Sequence, residues 1–309
     1  MVHVVEMPDV WAFEHIMGDL LLQREAENQF LLAELLGQLQ TPRNVVIFGR
    51  QPKFFVIKVD DQISAGAILT REGILMLSWC AQGGLMQLAQ HLSKIGTEIS
   101  MIFGAAVTSA LFTRIWREIS GQHCQPNRGE RVYQINEVVR PRGVAGRLSL
   151  ATRADAQTLI RWIDQFCIEA HFENSRPAHA LFEELLASRS LFVWRDENNL
   201  ACSMAAAVSP TPHGTCINLV YTPQEHRRRG YASACVAALA DILLSEGRHH
   251  CFILVDPEDI ALQALYEKIG ARFVVQTLRC SRVQPAGVEP PNDAALREIV
   301  IQPRDTCAA

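Results

Sequence analysis

The sequence predicts an α/β (α+β) fold built as two similar units. Segments in which apolar residues recur at helical spacing alternate along the chain with short strand-like runs. The order helix, antiparallel strands, strand–turn–helix and strand–helix occurs in the first half and again in the second. The length of 309 residues also exceeds that of one ordinary domain. We therefore expect two compact cores.

The first half is predicted to consist of long helices separated by short strands. Thr41-Pro42 and Ser120-Gly121 are stop signals for the first and last of these helices. The segment Cys124–Arg131 is polar and is expected to be turn-rich. Helices are predicted at Trp11–Leu39, Leu85–Lys94 and Val107–Ile119. Strands are predicted at Asn44–Phe48, Lys53–Val59, Ala65–Thr70, Ile74–Ser78, Ile99–Phe103 and Val132–Val139.

The second half is predicted to begin near Gly146, after a linker at Arg140–Gly143. A strand from Leu148 leads into a helix that is capped by Thr152 or Asp155 and ends near Ala170. Further helices are predicted at Ala178–Ser188, Ser233–Leu244 and Ile260–Ile269. Further strands are predicted at Leu191–Arg195, Leu200–Ser209, Thr215–Tyr221 and Cys251–Val255, and a last one at Leu296–Ile301.

Composition and charge limit the kind of partner. Hydrophobic residues make up 49% of the chain and charged residues 20%, which is typical of globular proteins. The formal net charge of −4 argues against a general nucleic-acid-binding protein. We therefore expect a small partner and no nucleic acid.

The nine cysteines are scattered, without a C-x-x-C pair or a metal-like cluster. We interpret them as free thiols in a reducing compartment, and we expect no metal site. The chain start lacks the basic and apolar blocks of a signal peptide, and no run approaches the roughly 18 apolar residues of a membrane span. The expectation is a cytoplasmic protein without membrane contact.

The stretch from Leu219 to Ala232 has the pattern of an anion site. Thr222-Pro223 ends a strand, and an arginine-rich turn with one glycine, Gly230, then opens into a helix. The first N–H groups of a helix have no intrahelical partner and lie at the positive end of its dipole, so they can bind a phosphate. The alternative interpretation is a solvated surface turn, because runs of like charge usually face water.

This turn, Arg227-x-x-Gly230-x-Ala232, resembles the acyl-coenzyme A motif Q/R-x-x-G-x-G/A of the GNAT acetyltransferase superfamily. The segment Leu265-Tyr266 with Gly270 resembles the second signature of that family. Asp259 stands where asparagine is usual, and Leu262 stands where a small residue is usual. The resemblance implies a mixed central sheet flanked by helices, with two tandem GNAT-like units.

The resemblance also implies where acetyl-CoA, or another acyl-CoA, binds as co-substrate. The strand ending at Tyr221 would separate from its neighbour, and the backbone of Leu219, Val220 and Tyr221 would pair with the pantetheine amides. Backbone N–H groups of the turn would hold the pyrophosphate, and either Arg228 or Arg229 could add a side-chain contact. The residues assigned to the turn are Arg227, Arg228, Arg229, Gly230, Tyr231 and Ala232, and Asp259 is expected near the cofactor.

Tyr266 is the predicted general acid. Acyl transfer from a thioester to an amine leaves a thiolate, and a phenol within hydrogen-bond distance of the sulfur can protonate it. A general base is not assigned, because no carboxylate lies in Thr215–Tyr221. Asn218 could at most orient a water, and His171, Glu173 and Glu225 qualify by residue type alone.

The predicted organisation is a degenerate or accessory unit at 1–145, a catalytic unit at 146–283 and a tail at 284–309. In the first unit, Cys80–Leu85 takes the place of the phosphate turn without arginines, and Phe112 takes the place of Tyr266. The predicted activity is transfer of an acetyl or small acyl group, by direct attack, to an amine of a small molecule or peptide. Alternatives are an acyl-CoA sensor without transferase activity and, disfavoured by the net charge, a nucleotide or RNA contact through the arginines.

Overall fold

The computed structural model describes residues 1–40, 51–170 and 176–283. Contacts divide these residues into two compact units, the first made of 1–132 with 274–283 and the second of 133–273. The chain passes from the first unit to the second after residue 132, before the predicted boundary at 145/146. The division of the chain into an accessory unit and a catalytic unit stays a prediction. The predicted strands Asn44–Phe48 and Leu296–Ile301, the tail, and His171 and Glu173 lie outside the described residues.

The secondary structure alternates between strands and helices throughout the described residues. The strands are β1 Val2–Met7, β2 Lys53–Val59, β3 Gln62–Leu69, β4 Ile74–Leu77, β5 Met101–Ala105, β6 Cys124–Ile135, β7 Arg147–Leu150, β8 Leu191–Arg195, β9 Ala201–Val208, β10 Gly214–Tyr221, β11 His250–Val255 and β12 Arg272–Arg282. The helices are α1 Val10–Leu22, α2 Glu25–Gln40, α3 Gln82–Lys94, α4 Ala106–Ser120, α5 Ala156–Glu169, α6 Ala178–Ala187, α7 Tyr231–Ser245 and α8 Ile260–Lys268.

The first unit is a mixed sheet with helices on both faces. Its strand order is β1-β2-β3-β4-β5-β12, and of these pairs only β4 with β5 is parallel. Alternate residues of β2 point to opposite faces. Phe54 and Val56 therefore pack in the core under α1 and α2, whereas Phe55 and Ile57 pack with α3 and α4.

The second unit repeats this arrangement. Its strand order is β7-β8-β9-β10-β11, and the one parallel pair among these strands is β10 with β11. Helices α7 and α8 share a core with the sheet, and α5 contacts β10. The predicted fold class, mixed sheets flanked by helices in two units, is confirmed. In the described ranges, every helix is too short or too polar to traverse a bilayer.

Three elements differ from the sequence-based prediction. The single helix expected at Trp11–Leu39 is two helices, and the Asn28 amide of the second donates to the Leu21 carbonyl of the first at 2.9 Å. The polar segment expected to be turn-rich is instead the first part of β6, where Asn127 donates to Ser281 of β12. The start of the chain, which had no predicted element, is the edge strand β1.

The start of α5 is fixed by both residues that were predicted as alternative caps. The Thr152 N–H and hydroxyl both donate to Asp155 Oδ2, at 2.8 and 2.9 Å, in a capping box that precedes α5. Arg195 of β8 donates to Asp155 Oδ1 at 2.6 Å, so the same carboxylate ties the helix to the sheet. Burial opposes ionisation of Asp155, but the hydrogen bonds from Arg195 and Thr152 outweigh it and lower its pKa.

Asp155→Ala is expected to lower the free energy of unfolding by about 1–3 kcal/mol, because it removes a cap and leaves Arg195 unpaired. A lowered carboxyl pKa stabilises the fold above the ordinary value of 3.8 and stops doing so as the pH falls through the lowered value. Urea denaturation at pH 7 and near pH 3 would measure both effects. Glu183→Gln is the control, because its ion pair with Arg153 is exposed and is worth at most about 1 kcal/mol. Equal losses in the two variants would contradict the assignment.

Candidate functional site

Strands β10 and β11 separate before either strand ends. Their parallel register runs from Gly214 opposite His250 to Ile217 opposite Ile253 and stops there. Strand β10 nevertheless continues to Tyr221 and β11 to Val255. Beyond Ile217, the edge of β10 that faces β11 is therefore free to accept another extended chain.

A bulge in β10 accompanies this separation. Asn218 pairs with Ala206 of β9, but the next pair joins Tyr221 to Met204, so β10 has one extra residue. Leu219 takes a positive φ of 52°, which is costly for a leucine. The Asn218 side-chain oxygen accepts from the Leu219 N–H at 2.7 Å and helps to hold this conformation. The three predicted residues Leu219, Val220 and Tyr221 all lie at or next to the bulge.

The turn after β10 leads into an uncapped helix. A single 3₁₀ turn at Gln224–His226 is followed by Arg228 and Gly230, both with positive φ, and α7 begins at Tyr231. The first backbone hydrogen bond of α7 runs from the Ala234 N–H to the Gly230 carbonyl, and no side chain caps this end. The N–H groups before Ala234, including those of Tyr231 and Ala232, thus have no intrahelical partner, as an anion site requires.

Two features of the structure require glycine, with no side chain, at position 230. Its φ of 80° is disfavoured for any residue with a Cβ atom. A Cβ atom there would also lie 2.8 Å from Cγ2 of Val144, which belongs to the segment before β7. The space beside Gly230 is therefore filled by Val144.

The three arginines of the turn differ in their surroundings. The side chain of Arg227 pairs with Glu169 of α5 and donates to the Thr222 carbonyl. Arg228 and Arg229 are exposed, and neither makes an ion pair with a described residue. Arg228 and Arg229 are therefore the two side chains of the turn that remain available to an anion.

Tyr266 is buried in the core between the sheet, α7 and α8. Burial raises the pKa of its hydroxyl, and nearby Cys235, Asp259 and Cys216 add to the shift. Within the described part of the chain, no residue makes a hydrogen bond with this hydroxyl. The hydroxyl is thus protonated at neutral pH and has a proton to donate.

Asp259 begins α8. Its carboxylate accepts from the Leu262 N–H at 2.8 Å, which makes it the N-cap of this helix. Gln263, one turn further, donates to the carbonyl oxygens of Asp256 and Pro257 and holds the loop before the helix. The departure from asparagine therefore leaves the capping function in place.

Two hydroxyls near the turn carried no signal in the sequence. The buried Ser203 of β9 donates to the Tyr221 carbonyl at 3.1 Å, and Thr222 donates to the Ser203 oxygen at 2.9 Å. Together they hold the end of β10 on its β9 side. Serine and threonine are common in strands, so only their position next to the bulge identifies them.

The remaining titratable candidates give no base or metal site. Glu225 is exposed in the 3₁₀ turn, and the Asn218 oxygen is used by the bulge. His213 and His249 stack with their ring centroids 4.9 Å apart. Among the described residues, no group of three or more histidine, cysteine and acidic side chains could hold a metal ion.

The corresponding region of the first unit is closed. Strand β4 pairs with β5 along its whole length, from Ile74 opposite Met101 to Leu77 opposite Gly104. A Cβ atom on Gly104 would lie 2.6 Å from the Leu77 carbonyl oxygen, so the two strands are in close contact. Phe112, which the sequence pattern matches to Tyr266, is buried and stacks on Trp116.

A separated strand pair followed by an uncapped helix is an arrangement suited to an extended ligand that carries both amides and phosphate. Residues 142–271 match the family model described as "Acetyltransferase (GNAT) family". This match covers most of the second unit. The suspected resemblance to the GNAT superfamily is confirmed.

Solved structures resemble nearly the whole chain. A GNAT family acetyltransferase from Colwellia psychrerythraea gives a TM-score of 0.51 at 11% identity and covers 92% of this chain and 100% of its own. A Drosophila protein gives 0.60 at 10% identity, with 91% and 98% covered. A tandem GNAT protein from the clavulanic acid biosynthesis pathway gives 0.50 at 9% identity, with 93% and 100% covered. Such low identities show a shared fold alone, and no curated protein matches the sequence.

Gly230→Ala is expected to lower the free energy of unfolding by about 2–3 kcal/mol, from a disfavoured φ and from the contact with Val144. Gly247→Ala is the matched control, since Gly247 also has a positive φ but a Cβ atom there would meet nothing within 4 Å. It should cost only about 1–2 kcal/mol.

Val144→Ala should reduce the cost of Gly230→Ala toward that of the control, because it removes the methyl group in contact. Urea denaturation of the two single variants and the double variant would measure this coupling. Strict additivity of the two substitutions would show that Val144 is not what excludes a side chain at Gly230.

Proposed function

We propose that the protein transfers an acetyl or other small acyl group from acyl-CoA to an amine of a small molecule or peptide. The observation that carries this proposal is the separation of β10 from β11 beyond Ile217, directly before an uncapped α7. An extended ligand with amides at one end and a pyrophosphate at the other is complementary to both features. The GNAT domain supports acetyl transfer as the chemistry.

The residues present fit acyl-CoA as co-substrate. The backbone of Leu219, Val220 and Tyr221 would pair with the pantetheine amides along the free edge of β10. The free N–H groups at the start of α7 would hold the pyrophosphate. The exposed side chains of Arg228 and Arg229 can add charge-assisted hydrogen bonds from the solvent side.

Tyr266 would act as general acid at the leaving sulfur. Its raised pKa keeps the hydroxyl protonated, and a hydroxyl without a described hydrogen-bond partner has its proton available for the thiolate that leaves. Asp259 would act indirectly, since it caps the helix that carries Tyr266 and holds that helix at the edge of the site. In this proposal Asp259 lies near the cofactor and positions Tyr266 through α8.

The acyl group would pass to the amine by direct attack. Burial raises the pKa of Cys235 and Cys251 to about 12, so both are thiols at neutral pH and are poor nucleophiles. The described cysteines are free, which agrees with the predicted reducing, cytoplasmic location. That location belongs to the proposal.

The second candidate is an acyl-CoA sensor without transferase activity. It is favoured by one observation, which is that β10 carries no carboxylate beside the bulge and the Asn218 oxygen is already used. A sensor needs the cofactor-binding site but no general base. Turnover with any amine would eliminate this candidate.

Tyr266→Phe is expected to lower kcat by about 10²-fold and to leave acyl-CoA affinity nearly unchanged, because only the transition state needs the hydroxyl proton. Thiol release from acetyl-CoA with a panel of amines would measure turnover, and calorimetry would measure binding. No loss of activity at high pH should arise from ionisation of Tyr266, because its pKa is raised.

Tyr133→Phe is the control for loss of a buried hydroxyl. Tyr133 is buried and its hydroxyl lies near Gln263 and Glu267, within the same unit. A full rate in the Tyr266 variant would refute the general-acid role. Acyl-CoA binding without turnover on any amine would instead favour the sensor.

A further inference from the structure

The side chain of Arg227 connects the turn before α7, to which it belongs, with the end of α5. One end of its guanidinium, Nη2, donates to Glu169 Oε2 at 2.6 Å, and Nε donates to the Thr222 carbonyl at 2.8 Å. The guanidinium also lies 5.7 Å from the centre of the Tyr221 ring. The side chain therefore contacts the turn that it belongs to, the end of β10 and the last residue of α5.

Tyr221 continues the same contacts. Its hydroxyl lies 3.0 Å from Gln165 Oε1 and 3.3 Å from Glu169 Oε1. Its ring packs near Trp162, one helical turn before Gln165. The side chain that follows the bulge is thus held on α5, on the face of the sheet opposite α7.

We infer that Arg227 and Glu169 are positioning residues that hold the phosphate turn in its binding conformation, and that Arg227 does not contact phosphate through its side chain. This inference rests on the proposed function, because it concerns the cofactor turn of that site. We call the pair of Arg227 and Glu169 the strut.

The conformation of the turn explains why a strut is needed. Arg228 and Gly230 both have positive φ, and a non-glycine residue there is strained by about 1–2 kcal/mol. The hydrogen bond from Arg227 to Thr222 closes the turn across its ends, and the ion pair with Glu169 fixes it to a helix. N–H groups that are held in place before binding lose less entropy when the anion arrives.

The fork geometry of arginine suits this role. A guanidinium has donors in fixed directions and can bind a carbonyl and a carboxylate together, which an ammonium group does less well. A phosphate contact from Arg227 would require it to leave Glu169. Arg228 and Arg229 are exposed and carry no such cost.

The binding test compares Arg227→Met, Glu169→Met and the double variant. Each single variant should weaken coenzyme A binding by roughly 2- to 5-fold, the range expected for loss of one partly exposed ion pair. The double variant should be no weaker than the worse single variant, because both remove the same strut. In turnover, KM for acyl-CoA should rise while kcat and KM for the amine stay unchanged.

The opposite result would identify Arg227 as a phosphate ligand. In that case Glu169→Met would leave binding unchanged or tighten it, because it frees the guanidinium, and Arg227→Lys would restore most of the affinity. The strut predicts that Arg227→Lys remains weak. The matched control is Arg153→Met with Glu183→Met, an exposed arginine–glutamate pair in the same unit, which should not change binding.

Hydrogen exchange of the protein alone tests the strut without any ligand. Amides of residues 222–233 should exchange faster in Arg227→Met and in Glu169→Met than in wild type, and at the wild-type rate in the control. Unchanged exchange in both variants would overturn the strut. Failure of the wild type to bind coenzyme A would refute the proposed function and would leave this exchange result to decide the strut separately.

Discussion

One constraint governs the second unit: β10 stops pairing with β11 after Ile217 but continues to pair with β9. Buried N–H and carbonyl groups have to be paired. On the β9 side this requirement is met by the bulge and by Ser203, which donates to the Tyr221 carbonyl. On the β11 side the described residues supply no backbone partner beyond Ile217. The free edge can therefore pair with an extended segment that has backbone-like amides of its own.

The turn before α7 is supported by residues from outside it. Val144 fills the space beside Gly230, and Arg227 binds Glu169 on the other side of the chain. The turn is thus held by contacts with Val144 and with Glu169. Pre-organisation of this kind lowers the entropy lost on binding. Arg227 is committed to this support through Glu169, and Arg228 and Arg229 have no ion-pair partner among the described residues.

Much of this architecture could be predicted from the sequence because its signals are local. The Thr152–Asp155 cap lies within four residues, and the strand–turn–helix order around Gly230 follows from proline, glycine and apolar spacing. Leu219 could not be predicted to take a positive φ, because nothing local favours that conformation in a leucine. The contacts of Val144 with Gly230 and of Glu169 with Arg227 join residues far apart in the chain. The break between α1 and α2 contains neither glycine nor proline, so no local signal marks it, and the side chain of Asn28 satisfies the Leu21 carbonyl across it.

The two units share a strand order but differ at their parallel strand pair, which is β4 with β5 in the first unit and β10 with β11 in the second. In the first unit β4 ends at Leu77, and all four of its residues pair with β5. In the second unit, β10 runs four residues past its last pair with β11 and places a bulge there. Extra strand length alone would have lengthened the ladder, so the bulge is the feature that turns a longer strand into an open slot. This difference supports the proposal that the cofactor binds in the second unit.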